Sequence, residues 1–116
     1  MKRKSDPRHL KRTRLIKDLF AFSFNKQSKP PRLVQPIVSN LSQIDKLIAQ
    51  SAPDRPLNQI NKIDLAILRL ATFELIIKEE PLKVIIDEAV ELGKEFGSDS
   101  SSAFINGALG KLVKLI

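Results

Sequence analysis

The chain has 116 residues with no cysteine, and its formal net charge of +7 at pH 7 is concentrated in residues 1 to 32, where 11 Lys or Arg face only Asp6 and Asp18. That length suits one domain burying about two-thirds of the surface of its unfolded chain, and the lack of cysteine excludes a disulfide framework and a thiolate metal site, so a reducing, cytoplasmic setting is expected. No apolar run approaches the roughly 20 residues that span a bilayer, and the basic start lacks the apolar segment and small-residue cleavage site of a secretory signal.

In chain order, Ser5-Asp6-Pro7 predicts a helix start, with Asp6 as N-cap and Pro7 at the first helical position, where its missing N–H is no loss. This first helix is expected to run to about Asn25. Lys29-Pro30-Pro31 predicts a loop, because two prolines remove backbone donors and push the preceding residue extended. After Pro36, the residues Ile37, Leu41, Ile44, Leu47 and Ile48 recur at three- and four-residue spacing, which predicts an amphipathic helix ended by Pro53 and Pro56.

Asn61 with Asp64 three residues later predicts the capped start of a third helix. Its sequence DLAILRLATFELII is apolar nearly all round, as a helix central to a bundle should be. Pro81 breaks it, and Val84, Ile85, Ala89 and Leu92 form the stripe of a fourth helix, closed by Gly97 as a left-handed cap. Ser98 to Ser102 offers N-caps for a last helix carrying Phe104, Ala108, Leu109, Leu112 and Leu115. Gly107 and Gly110 cost that helix about 1 kcal/mol each relative to Ala, and close helix approach is one reason to keep them. No internal repeat and no alternating strand pattern is found, so the fold class is all-α.

Projected at about 100 degrees per residue, the first helix places Leu15, Ile16, Leu19 and, less centrally, Phe22 on one face. Backwards, the same stripe continues into Arg12 and Arg8. A core-facing line that turns basic is reasonable only if the first two turns project beyond the core or a partner covers them. Cations at a helix N-terminus also oppose the macrodipole by a few tenths of a kcal/mol each. Bases set against that preference point to an external polyanion, while the plainer reading is a solvated helix end. The candidate phosphate contacts are Arg3, Lys4, Arg8, His9, Lys11, Arg12, Arg14 and Lys17.

Single-stranded RNA is held by backbone contacts together with stacking of its bases on aromatic rings. The rings available are Phe20, Phe22, Phe24 and Phe104, although phenylalanines at helical spacing are usually core. Glu88, Glu91 and Glu95 follow helical spacing on the expected exposed face of the fourth helix, a surface for a basic partner protein or simply a solvated face. There is no Gly-rich phosphate loop, no nucleophile motif and no second histidine beside His9, so no catalytic residue, metal or cofactor is expected.

Three segments in order, DLAILRLATFEL (Asp64 to Leu75), PLKVIIDEAVELGKEFG (Pro81 to Gly97) and SSAFINGALGKL (Ser101 to Leu112), resemble the NusB family, the bacterial transcription antitermination factors that bind boxA RNA. RHLKRTRLIKDLFAF is similar to that family's Arg-rich first helix. The resemblance implies a NusB-like helical bundle of two packed sub-bundles, about five to seven helices in all, divided here as a flexible residues 1–6, a first sub-bundle 7–50 and a second 57–116. It implies as partners boxA-like single-stranded RNA, a NusE-type small-subunit ribosomal protein and the transcription elongation complex, in support of ribosomal RNA synthesis. Carried over by position, Arg8, His9 and Arg12 match the Arg-rich motif, and Phe104 and Asn106 match an aromatic and an amide near the RNA surface. The chain departs from the pattern at Ala103, Ser100, Asp87 and Phe73, and the region from Lys26 to Pro56 matches least.

The leading expectation is a non-catalytic RNA-binding antitermination factor, with Arg8, Lys11, Arg12 and Arg14 on phosphates and Phe104 and Phe20 bordering bases. The alternative is a helical protein–protein adaptor whose basic N-terminus merely solubilises. A helix-turn-helix DNA binder is disfavoured because the bases concentrate in the first helix. Membrane-surface binding requires Leu15, Ile16 and Leu19 to be exposed. Whether the chain forms a homodimer through its apolar helices is left open.

Overall fold

Helix limits follow the caps and prolines of the chain, in a computed structural model that describes residues 6–26 and 28–116. Arg3 and Lys4, with the expected flexible start, lie outside the described residues apart from Asp6. Helix α1 (Pro7–Phe22) begins where Asp6 Oδ1 accepts a 2.8 Å hydrogen bond from the Arg8 amide, with Pro7 in the first turn. The expected second helix is divided into α2 (Gln35–Ser39) and α3 (Leu41–Ser51). Between them the Asn40 side-chain amide donates to the Pro36 carbonyl oxygen at 2.7 Å, the local competition with the helical ladder to which Asn is prone.

Helix α4 (Lys62–Ile77) starts at Asn61, whose Oδ1 accepts from the amides of Ile63 and Asp64 at 2.8 and 3.4 Å. It ends at Lys78, which takes the left-handed conformation at φ 56°. Helix α5 (Leu82–Phe96) follows Pro81, and α6 (Ser101–Leu112) follows the serine-rich turn. Two short 3-10 turns, Arg32–Val34 and Leu57–Gln59, lead into α2 and α4.

Helix α4 is the axis of the bundle, packing against α1, α2, α3, α5 and α6. Every residue from Asp64 to Thr72 is buried, as the apolar wrap of this helix predicts. Each fully buried Leu or Ile contributes about 1.5–3 kcal/mol relative to exposure, and one continuous cluster of them runs from Leu15 to Leu112. Inside that run Arg69 is 4% exposed and reaches α3, its Nε and Nη2 donating to the two carboxylate oxygens of Asp45 at 2.9 and 3.0 Å.

Leu15, Ile16 and Leu19 are 7%, 1% and 1% exposed. The apolar side of α1 is therefore spent on the core, which removes the membrane-surface reading of this helix. Among the described residues no helix is long and apolar enough to cross a membrane.

The glycines act differently from the sequence expectation. Gly97 closes α5 at φ −93° and ψ −167°, an extended conformation open to any residue, so space is its requirement. A Cβ there would meet the Ser101 side chain and lie 2.7 Å from the Gly93 carbonyl oxygen. Gly107 and Gly110 face open space, and the tight α5–α6 contact is made at Gly93, where a Cβ would fall 2.8 Å from Ile105 Cδ1.

Gly97→Ala should accordingly destabilise the fold by about 1–3 kcal/mol, as overpacking does. Gly107→Ala, with room for its methyl, should stabilise it by about 0.5–1 kcal/mol through helix propensity. Urea denaturation of the two variants beside the parent chain checks both signs.

Candidate nucleic-acid interface

One stripe of α1 carries Leu15, Ile16 and Leu19 into the core, and Arg12 lies on it one turn earlier. Arg12 does not project beyond the core: it is 4% exposed and enclosed by three glutamates. Its Nε donates to both carboxylate oxygens of Glu74 at 3.1 Å, Nη2 to Glu74 Oε2 at 2.7 Å and to Glu80 Oε2, and Nη1 to Glu88 Oε1 at 3.3 Å. These acids come from α4, the α4–α5 turn and α5, so one guanidinium fastens α1 across the hairpin. Its five donors arranged in a planar fork suit several carboxylates at once, which an ammonium cannot match.

Burial alone would loosen the guanidinium's hold on its proton. The hydrogen bond to Glu74 and the charges of Glu74, Glu80 and Glu88 outweigh that penalty and raise its pKa above the ordinary arginine value. A raised basic group stabilises the fold below its unfolded pKa and loses that contribution only as pH rises through the folded one. For Arg12 that window is strongly alkaline, so the cation is constant across ordinary pH.

His9 sits beside Arg12, 6% exposed, with Nε2 2.9 Å from Glu95 Oε2 and Nδ1 3.8 Å from Glu88 Oε1. The stripe of Glu88, Glu91 and Glu95 is thus not one exposed face. Glu88 is 1% exposed and turned inward to Arg12, because a buried carboxylate is tolerable where a cation meets it. Glu95 is engaged by His9, and Glu91 remains outward, 3.5 Å from Lys94.

The other bases of α1 face solvent. Arg8 has a 70% exposed side chain while Nη1 reaches Glu80 at 3.2 Å. Lys11, Arg14 and Lys17 are exposed and make no ion pair among the described residues. The candidate phosphate contacts drawn from sequence therefore divide: Arg12 and His9 are internal struts, and Lys11, Arg14 and Lys17 are the outward charges.

Of the rings, Phe22 is 8% exposed and belongs to the core. Phe20 is half-buried and meets the exposed Phe24 edge-on, with centroids 5.0 Å apart, and Lys62 Nζ lies 5.3 Å from the Phe24 centroid. Phe104 is half-buried, with the guanidinium carbon of Arg55 4.1 Å above its ring, while Asn106 is exposed. Sequence reasoning missed Arg55 and Lys62, since each meets its ring only through tertiary packing. Two prolines flanking Asp54 and Arg55 were the sole local sign of a shaped loop. Among the described residues no group of His, Asp and Glu is arranged to hold a metal ion.

Residues 11–114 match the model of the NusB family. Curated relatives include the transcription antitermination protein NusB of Chloroflexus aggregans, 51% identical over 85 residues covering 71% of this chain and 57% of that protein. The proteins of the same name from Roseiflexus sp. and Clostridium novyi are 51% and 43% identical, over 71% and 72% of this chain and 60% and 63% of theirs. The matched stretch thus spans less than two-thirds of the length of these relatives. The solved structure of T. maritima NusB superposes with a TM-score of 0.85 at 31% identity, covering 94% of this chain and 92% of that one.

Removing one partner from a buried ion cluster leaves uncompensated charge and costs about 3–5 kcal/mol. Arg12→Ala, which strands Glu74, Glu80 and Glu88 together, should lower stability by that amount. Arg12→Lys should recover only part of it. Chemical denaturation of the two variants tests this, and wild-type stability in Arg12→Ala would show that the cluster does not hold α1.

Proposed function

Because the chain belongs to the NusB family, we propose that it is a non-catalytic RNA-binding factor and that it acts in transcription antitermination, as the names of its curated relatives say of them. In this reading it holds boxA-like single-stranded RNA together with a NusE-type ribosomal protein, in support of ribosomal RNA transcription. The observation that carries the proposal is the division of charge on α1. Acids within the fold neutralise Arg12, whereas Lys11, Arg14 and Lys17 project from the same rigid helix without ion partners among the described residues.

A helix anchored in this way presents its outward bases with little ordering cost, unlike a basic tail that must order as it binds. Arg8, still largely exposed, adds a fourth contact at the helix start. Phe104 and Asn106 on α6 and Phe20 on α1 are the proposed base-proximal groups. Arg12 and His9 take the role of positioning the helix instead of touching phosphate.

The adaptor reading draws on a different observation. A groove of about 670 Å³ between α1, α2 and α4 exposes Leu33 and Ile77 beside Glu79 and Glu80. Its lining also carries Arg8, Lys11 and Arg32, and this mixture of apolar groups with charges of both signs would suit a protein segment, the ribosomal partner's included.

Each phosphate contact steepens the log–log salt dependence of single-strand binding by about 0.7. The double variant Lys11→Ala, Arg14→Ala should weaken binding to boxA RNA at low salt and flatten that slope by about 1.4 in total, with the fold intact. The assay runs with and without the ribosomal partner, against a scrambled RNA and duplex DNA. Partner binding with no preference for RNA would replace the RNA-binding reading with the adaptor.

A further inference from the structure

We propose that Arg55, seated on Phe104, is the surface on which one nucleobase of the bound RNA stacks; this rests on the RNA-binding reading above. Arg55 lies in the loop after α3, between Pro53 and Pro56. Its amide donates to the Ala52 carbonyl oxygen at 3.1 Å, and the two prolines restrict the backbone on either side. The side chain is thus launched from a shaped turn.

The Phe104 ring packs against the core, and its outward side is covered by the Arg55 guanidinium, 4.1 Å from the ring centroid. A base approaching this place meets the guanidinium before it meets the ring. Guanidinium planes are accepted stacking partners for unstacked bases, as aromatic rings are.

The contrast with the other buried or pinned arginines is informative. Arg12 and Arg69 are committed to carboxylates, whereas Arg55 makes no ion pair among the described residues, and its N–H donors remain available for a base edge or phosphate. The groove around it, about 320 Å³, is also lined by Asp54, Gly107 and Lys111. Beyond the α6 backbone and the two adjacent residues, nothing lies within 4 Å of the place where a Gly107 Cβ would sit, so a ligand can approach the α6 backbone closely there. One turn on, Lys111 supplies a charge for the phosphate of the same nucleotide.

The test compares Arg55→Lys and Arg55→Ala with the parent chain, using boxA RNA and a series in which each base in turn is replaced by an abasic site. Stacking of one base corresponds to roughly a tenfold effect on affinity. Arg55→Lys keeps the charge and loses the plane, so it should bind about tenfold more weakly with an unchanged salt slope. One abasic position that weakens binding to the parent chain should have no further effect on Arg55→Lys, the signature of a shared interaction. Thermal melts should coincide, since Arg55 is exposed.

Parent-like affinity of Arg55→Lys, or an abasic penalty equal in both proteins at every position, would overturn the stacking assignment while leaving RNA binding in place. Failure of the parent chain to bind RNA with its ribosomal partner present would overturn the proposed function and this inference together.

Discussion

The cluster of Arg12 with Glu74, Glu80 and Glu88 is the contact on which the placement of α1 depends. Apolar packing through Leu15, Ile16 and Leu19 holds the middle of the helix, but apolar contact has no direction and does not by itself choose where the first turns point. A guanidinium shared by three carboxylates from two helices and their turn has a narrow set of geometries. Buried ionic groups are weak contributors to net stability and strong penalties when one partner is lost. Here that asymmetry favours one orientation of α1 over its alternatives.

A second buried arginine repeats the device on the other side of the central helix. Arg69 joins α4 to Asp45 of α3, so α3 is tied to α4, and α1 to both α4 and α5, by arginine–carboxylate contacts as well as by the apolar core. Only Arg69 sits in a stretch that reads as core from sequence, but both arginines satisfy the rule that a buried charge is paired. On α1 this leaves Lys11, Arg14 and Lys17 exposed and without ion partners among the described residues.

The distribution of charge then becomes a distribution of roles. Bases that meet acids inside the fold position the helix, and bases that do not are the ones a polyanion can reach. Aromatic rings divide in the same way: Phe22 is core, Phe20 and Phe24 form an edge-on pair at the surface, and Phe104 serves as a seat for Arg55.

Much of this was legible in the chain itself. Asp6-Pro7, Asn61 and Pro81 marked helix starts because capping and proline geometry are local, and the all-round apolar character of residues 64–77 identified the central helix because burial on every side leaves no polar face. The resemblance carried by Asp64 to Leu112 named the family for the same reason, that its motifs are contiguous. What could not be read was which side chains meet across the fold. Periodicity placed Arg12 on the stripe leading out of the core and Glu88 on an exposed stripe, yet each is buried because the other, 76 residues away, compensates its charge. Nor could Arg55 be matched to Phe104, or Gly93 be told from Gly107 as the point of close helix approach. Local sequence determined the helices and their caps, since those depend on neighbouring residues. Only tertiary packing decided which charges were neutralised and which were left facing outward, because the energy of a charge depends on what surrounds it in space.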